Sequence, residues 1–157
     1  MRRQLKETLF VRAWALRNVL LLWLIRPSII EVNERRAIVR VPLNWITRRH
    51  DIQAMYLGVL CMGADVASGL VPFFLIKNQK LNVSIIFKDI RAVFLKRAEG
   101  AVLFTCEEGD RIQDLLRRAE SSGERQEATV QVVATVPEKL GAEPVATFEL
   151  TLSLKKR

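Results

Sequence analysis

Residues 55–76, MYLGVLCMGADVASGLVPFFLI, are apolar or small almost throughout, long enough for about six helical turns, and interrupted by one carboxylate, Asp65. Such a helix has two destinations: a bilayer crossing or the middle of a soluble core. Asp65 and Ser68 near the centre and Pro72 in the last turns argue against the bilayer, where an ionisable group is costly. Gly58, Gly63, Ala64, Ala67, Ser68 and Gly69 remove bulk and let a sheet lie close to the backbone. The same glycines weaken the isolated helix, so tertiary packing has to hold it.

The rest of the chain supplies a sheet. SIIEVNERRAIVRV reads as a hairpin about the polar turn NERR, and LNVSIIFKDIRAVFLK and GAVLFTCEE are β-rich runs separated by Gly100. In ATVQVVATV the residues Val130, Val132, Ala134 and Val136 share a face. In ATFELTLSLKK, Phe148, Leu150, Leu152 and Leu154 oppose Glu149, Thr151, Ser153 and Lys155. That alternation marks antiparallel strands buried on one side, and the central helix is the element long and apolar enough to cover them. GDRIQDLLRRAESSG puts Ile112, Leu115, Leu116 and Ala119 on one face of a small surface helix, with Asp110 as N-cap and Gly123 beyond its end.

Residues 1–26 begin with basic residues and continue into an apolar run, the outline of a targeting segment. Arg12 and Arg17 interrupt it, leaving only VLLLWLI uncharged, and no small-residue cleavage pattern follows. An amphipathic helix is expected there, ending near Arg26-Pro27. With 157 residues, half of them hydrophobic, and no repeat or linker, residues 27–157 form one domain that carries this helix.

The net charge of +8 sits in the first third: residues 1–50 hold 11 Lys/Arg against 3 Asp/Glu, and the remainder holds 14 of each. Such a segment suits an anionic membrane surface, nucleic acid, the phosphates of a nucleotide-bearing substrate, or plain solvent. Nucleic acid has only bulk charge in its favour, without a reader motif. The arginines and Leu/Trp-rich stretch of residues 1–26 suit a headgroup boundary. Cys61 and Cys106 lie in apolar surroundings without metal-ligand spacing, so reduced core thiols and a cytoplasmic protein are expected, with no metal and no disulfide framework. No Gly-x-Ser-x-Gly elbow, P-loop, dinucleotide fingerprint or HExxH occurs.

VPLNWITRRHDIQAMYLGVLCMGADVASGL, FKDIRAVFLKRAEGAVLFTCEEGD and ATFELTLSLKKR together resemble the hotdog thioesterase-like family related to the YiiD C-terminal domain, from about residue 28 onward. The resemblance implies an α+β hotdog fold: a curved antiparallel sheet around a long central helix, here with an extra N-terminal helix and a small inserted one. In that superfamily, the phenylacetate-pathway type of acyl-CoA thioesterase carries an Asn, a His-Gly-Gly turn, and an Ala-Asp or Ala-Glu on the central helix. Asp65 falls at the carboxylate, as base or nucleophile, and Gly58 at the second glycine, whose neighbourhood presents N–H groups to the thioester oxygen. Leu57 replaces the first glycine and Tyr56 the His; His50 falls at the Asn, and Gln53 replaces the glycine that normally follows it.

His50, at the Asn position, is either a donor to the substrate carbonyl or a partly solvated loop residue. Ser68, one turn from Asp65 on the same face, suits orienting its carboxylate or water, and Gln53 and Tyr56 are either contacts to substrate or plain surface and packing residues. Arg48, Arg49, Lys88, Arg91, Lys96 and Arg97 would bind the phosphates of coenzyme A or of a carrier's phosphopantetheine. No cofactor is implied beyond coenzyme A as part of the substrate. The implied assembly is a homodimer or dimer of dimers with the site across a subunit interface. Two functions follow: an acyl-thioester hydrolase, favoured by Asp65, or a hotdog protein that binds acyl thioesters or other acyl ligands without hydrolysis, favoured by the bulky MYLG.

Overall fold

The computed structural model describes residues 2–157. Two helices, α1 (Arg2–Asn18) and α2 (Leu20–Leu24), stand where one was expected over residues 1–26. Val19, at φ −144° and ψ 86°, breaks the helix, and the break lets Ala15, Leu22 and Ile25 all turn inward and become buried. Met1 lies outside the described residues.

The hairpin forms as expected: β1 (Ser28–Val32) pairs antiparallel with β2 (Ala37–Val41). Its turn is held by Asn33, whose Oδ1 accepts the N–H groups of Arg35 and Arg36 at 2.8 and 2.9 Å. A two-stranded ribbon, β3 (Arg48–Arg49) with β4 (Ala54–Met55), leads into the central helix α3 (Leu57–Gln79). After it come β5 (Val83–Phe94), β6 (Val102–Cys106), α4 (Gly109–Ser122), β7 (Gln126–Thr135), α5 (Pro137–Leu140) and β8 (Pro144–Lys156).

Six strands make one sheet in the order β1-β2-β6-β7-β8-β5, with every neighbouring pair antiparallel. The period-two pattern holds: Val130, Val132, Ala134, Phe148, Leu150, Leu152 and Leu154 are all buried in one core with α3. Gly63 is where helix and sheet come closest, because a Cβ there would lie 2.3 Å from the Phe104 ring. This is the hotdog fold, and α3, although long and apolar enough to cross a membrane, is its core helix.

The inserted helix α4 buries Ile112, Leu115, Leu116 and Ala119 as its pattern predicts, and Gly123 ends it at φ +69°. Its N-cap is Glu108 and not Asp110, which sits in the first turn. The cause is Gly109, whose N–H donates to Arg35 O at 2.9 Å and whose Cα is pressed so close to the hairpin turn that a Cβ would lie 2.3 Å from Glu34 O.

One edge of the sheet remains open. On β5, Phe87, Ile90 and Phe94 stand opposite Leu152, Leu150 and Ala146 and so share the helix-facing side. They are nonetheless 37, 46 and 45% exposed.

Candidate functional site

The start of α3 is fixed by the loop before it. Thr47 is fully buried; its hydroxyl donates to Pro42 O at 2.7 Å and accepts the Asn44 N–H at 2.9 Å. Asn44 Oδ1 in turn accepts the N–H groups of Ile46 and Thr47. From this rigid turn, Thr47 O takes the Tyr56 N–H at 3.0 Å, and Ala98 O, beyond the end of β5, takes the Met55 N–H at 2.9 Å. Helix start, β3–β4 ribbon and the end of β5 are thereby tied around a cleft of about 380 Å³.

The cleft has apolar walls of Ile52, Met55, Leu57, Leu60, Phe94 and Leu95 and a cationic rim of Arg49, Lys96 and Arg97. Two of the cations are already paired: Arg49 grips Asp51 through two bonds of 2.9 and 2.8 Å, and Lys96 pairs with Glu143. Arg97, also on the rim, has no ion-pair partner among the described residues. At the helix start, the Leu57 and Gly58 N–H groups have no intrahelical acceptor and lie at the positive end of the helix dipole. The Tyr56 ring leans over them, close enough that a Cβ on Gly58 would lie 2.6 Å from Tyr56 Cε1.

Asp65 lies two turns further, about 12 Å along the axis. With Gly58, Met62, Gly69 and Phe73 it forms a half-buried stripe along α3. No donor or cation among the described residues reaches its carboxylate, and desolvation alone holds its pKa above the ordinary aspartate value. Leu57 and Leu60, the helix residues of the cleft, sit roughly 80° and 140° around the helix from Asp65. Within one chain, then, Asp65 does not line the cleft.

The other sequence-identified residues divide. Arg49, Lys96 and Arg97 come together on the cleft rim. Arg48 braces the ribbon, donating from Nη1 to Gln53 Oε1 at 3.0 Å, while its Nε is buried without an acceptor. Gln53 donates to His50 O at 2.5 Å and holds φ +54°, the left-handed backbone that suits the glycine expected there. His50 does not line the cleft; its Nε2 meets Trp45 O at 3.2 Å and its ring rests on the Trp45 ring at 5.7 Å. Ser68 is buried with its hydroxyl directed to Ala64 O (2.9 Å) and Asp65 O (3.1 Å), main-chain acceptors and not the carboxylate. Lys88 pairs with Glu127 at 2.7 Å. Arg91 stands across from Glu149, and these two cations lie roughly 20 and 10 Å along β5 from its cleft end.

The cleft walls Met55, Leu60, Phe94 and Leu95 escaped the sequence reading. Their one local signal is that strand β5 runs out in the apolar pair Phe94-Leu95 directly before Lys96-Arg97.

No family model and no curated protein matches the chain. Among solved structures, the chain is similar to a protein of unknown function from Chlorobaculum tepidum, with TM-score 0.83, 10% identity and coverage of 98% of this chain and 97% of that one. It is also similar to a Pseudomonas aeruginosa protein of unknown function described as a probable thioesterase (TM-score 0.78, 18% identity, 96% of both chains). A thioesterase from Haemophilus influenzae matches at TM-score 0.61 and 14% identity, over 84% of this chain and 80% of that one. At these identities the likeness is one of fold: the chain shares the hotdog architecture of proteins described as thioesterases.

Proposed function

We propose that this protein hydrolyses acyl thioesters of coenzyme A or of an acyl carrier, as a homodimer in which Asp65 of one protomer faces the cleft of its partner. The observation that carries this reading is the half-buried carboxylate of Asp65 on the core helix, unpaired among the described residues and raised in pKa by desolvation. An unpaired carboxylate there costs stability, which chemistry explains better than packing does. In the dimer, Asp65 takes the proton of a water that attacks the thioester carbonyl carbon. The carbonyl oxygen, now negative, is met by the free N–H groups of Leu57 and Gly58, and collapse of the tetrahedral adduct expels the thiolate. Acyl chain against the apolar walls and phosphate against Arg97 fit the cleft's two halves. Both cysteines are free, in keeping with a reducing, cytoplasmic setting.

A second reading keeps the ligand and removes the reaction. Tyr56 and Leu57 crowd the helix start, and a protein that only holds an acyl thioester has no need of an open oxyanion site. Thiol release from short to long acyl-CoAs, corrected for the protein's own Cys61 and Cys106, decides between them. Turnover that falls about 10²–10⁴-fold in Asp65→Asn is expected of the hydrolase. Binding of acyl-CoA without thiol release from any chain length would establish the second reading.

A further inference from the structure

The N-terminal helices turn more apolar surface outward than their packing uses. Inward, Ala15, Leu22 and Ile25 are buried, and Phe10 and Trp14 rest on Phe73 of α3 at 5.9 and 6.5 Å. Arg12 straps α1 to the body, donating to Pro27 O at 3.1 Å, Arg26 O at 3.3 Å and Ser28 Oγ at 3.1 Å. Outward, Leu5, Leu9 and Leu16 fall within about 40° of one another around α1, and they are 57, 65 and 53% exposed. Past the Val19 break, Leu20 and Leu21 are exposed as well, at 56 and 63%. Lys6 and Arg17 lie together along one side of the α1 leucine ridge, both exposed. Residues 2–26 hold six Lys/Arg and a single acid, Glu7.

We infer that this face docks on an anionic lipid surface, its leucines entering the acyl boundary and its cations meeting the headgroups. Charge and apolarity argue for that occupant together. Nucleic acid would use the cations but gain nothing from five exposed leucines. A second copy would bring like charge against like, and the open apolar shelf that suits a second copy lies on β5, at the other edge of the sheet from β1, where α1 packs. Because the helices are pinned by Arg12 and the buried side chains, the ridge is presented as a fixed surface. The inference does not depend on the hydrolase reading, and its test reads binding alone.

Full-length protein is sedimented with vesicles of phosphatidylcholine alone and of phosphatidylcholine mixed with phosphatidylglycerol, at low salt. Wild type should pellet with the anionic vesicles and stay in solution with the neutral ones. Lys6→Gln with Arg17→Gln should weaken binding about thirtyfold, at about 1 kcal/mol per cation near the surface. Leu9→Ser with Leu16→Ser should also release the protein, and both pairs should keep the wild-type circular dichroism because the positions are exposed. Wild type left in solution with anionic vesicles overturns the inference, as does wild-type binding by the folded leucine variant. A leucine variant that turns a dimer into a monomer overturns it too, making the ridge a contact between copies.

Discussion

Asp65 meets two opposed demands at the scale of a single residue. Asp65 is half-buried, and desolvation holds its folded pKa above the ordinary aspartate value. For a group whose folded pKa is raised, the contribution to stability is fully present below the unfolded pKa and is lost as pH rises through the folded one. At neutral pH the raised pKa therefore costs the fold stability. Asp65→Asn cannot ionise, and it should unfold at higher urea than wild type at pH 7, with the difference shrinking as pH falls into the ordinary carboxylate range. Paired with loss of turnover, that gain would mark a residue retained for chemistry at a cost to stability. A variant less stable than wild type across the whole range would show instead that the carboxylate is a structural hydrogen-bond acceptor.

Among the elements, the contact between α3 and β6 decides whether the sheet can close on its helix. Phe104 is fully buried, and its ring fills the space a side chain on Gly63 would need. Gly63→Ala should cost about 1–3 kcal/mol in chemical denaturation through overpacking, less the roughly 0.5–1 kcal/mol that alanine returns to a helix. Phe104→Leu in the same chain should recover part of the loss, and additive costs would show that the two residues do not press on each other. Elements of this kind were legible in sequence because they follow from period: the alternation in β7 and β8 and the apolar run of α3 each depend on neighbours within a few residues. The break at Val19 and the shift of the α4 cap to Glu108 were not legible. Both answer to contacts with distant chain, the first to burial of Ala15 with Leu22 and Ile25, the second to Gly109 docking on the Arg35 carbonyl.

For the whole molecule, the same distinction separates the candidate residues from the site. Asp65, Arg49, Lys96 and Arg97 could be picked from the chain, but the cleft exists only where Met55 is tied to Ala98 across more than forty residues. Nor does Asp65 line that cleft in the single chain. The open edge of the twelve-residue strand β5 supplies a way to join them. A long strand edge with unpaired backbone groups and an uncovered apolar shelf of Phe87, Ile90 and Phe94 is a template for another strand. A second β5 would continue the sheet and bring a second α3 alongside the first. Ile90→Lys places a charge in the middle of that shelf at a position nearly half exposed in the single chain, so the protomer should still fold. On the proposed dimeric hydrolase, light scattering should then report a monomer where wild type should show twice the mass, and thiol release should fall with the dimer because each cleft would lose its partner's Asp65. A dimer that survives Ile90→Lys with full turnover would exclude β5 as the joining edge, and a monomer with full turnover would place carboxylate and cleft within one chain after all.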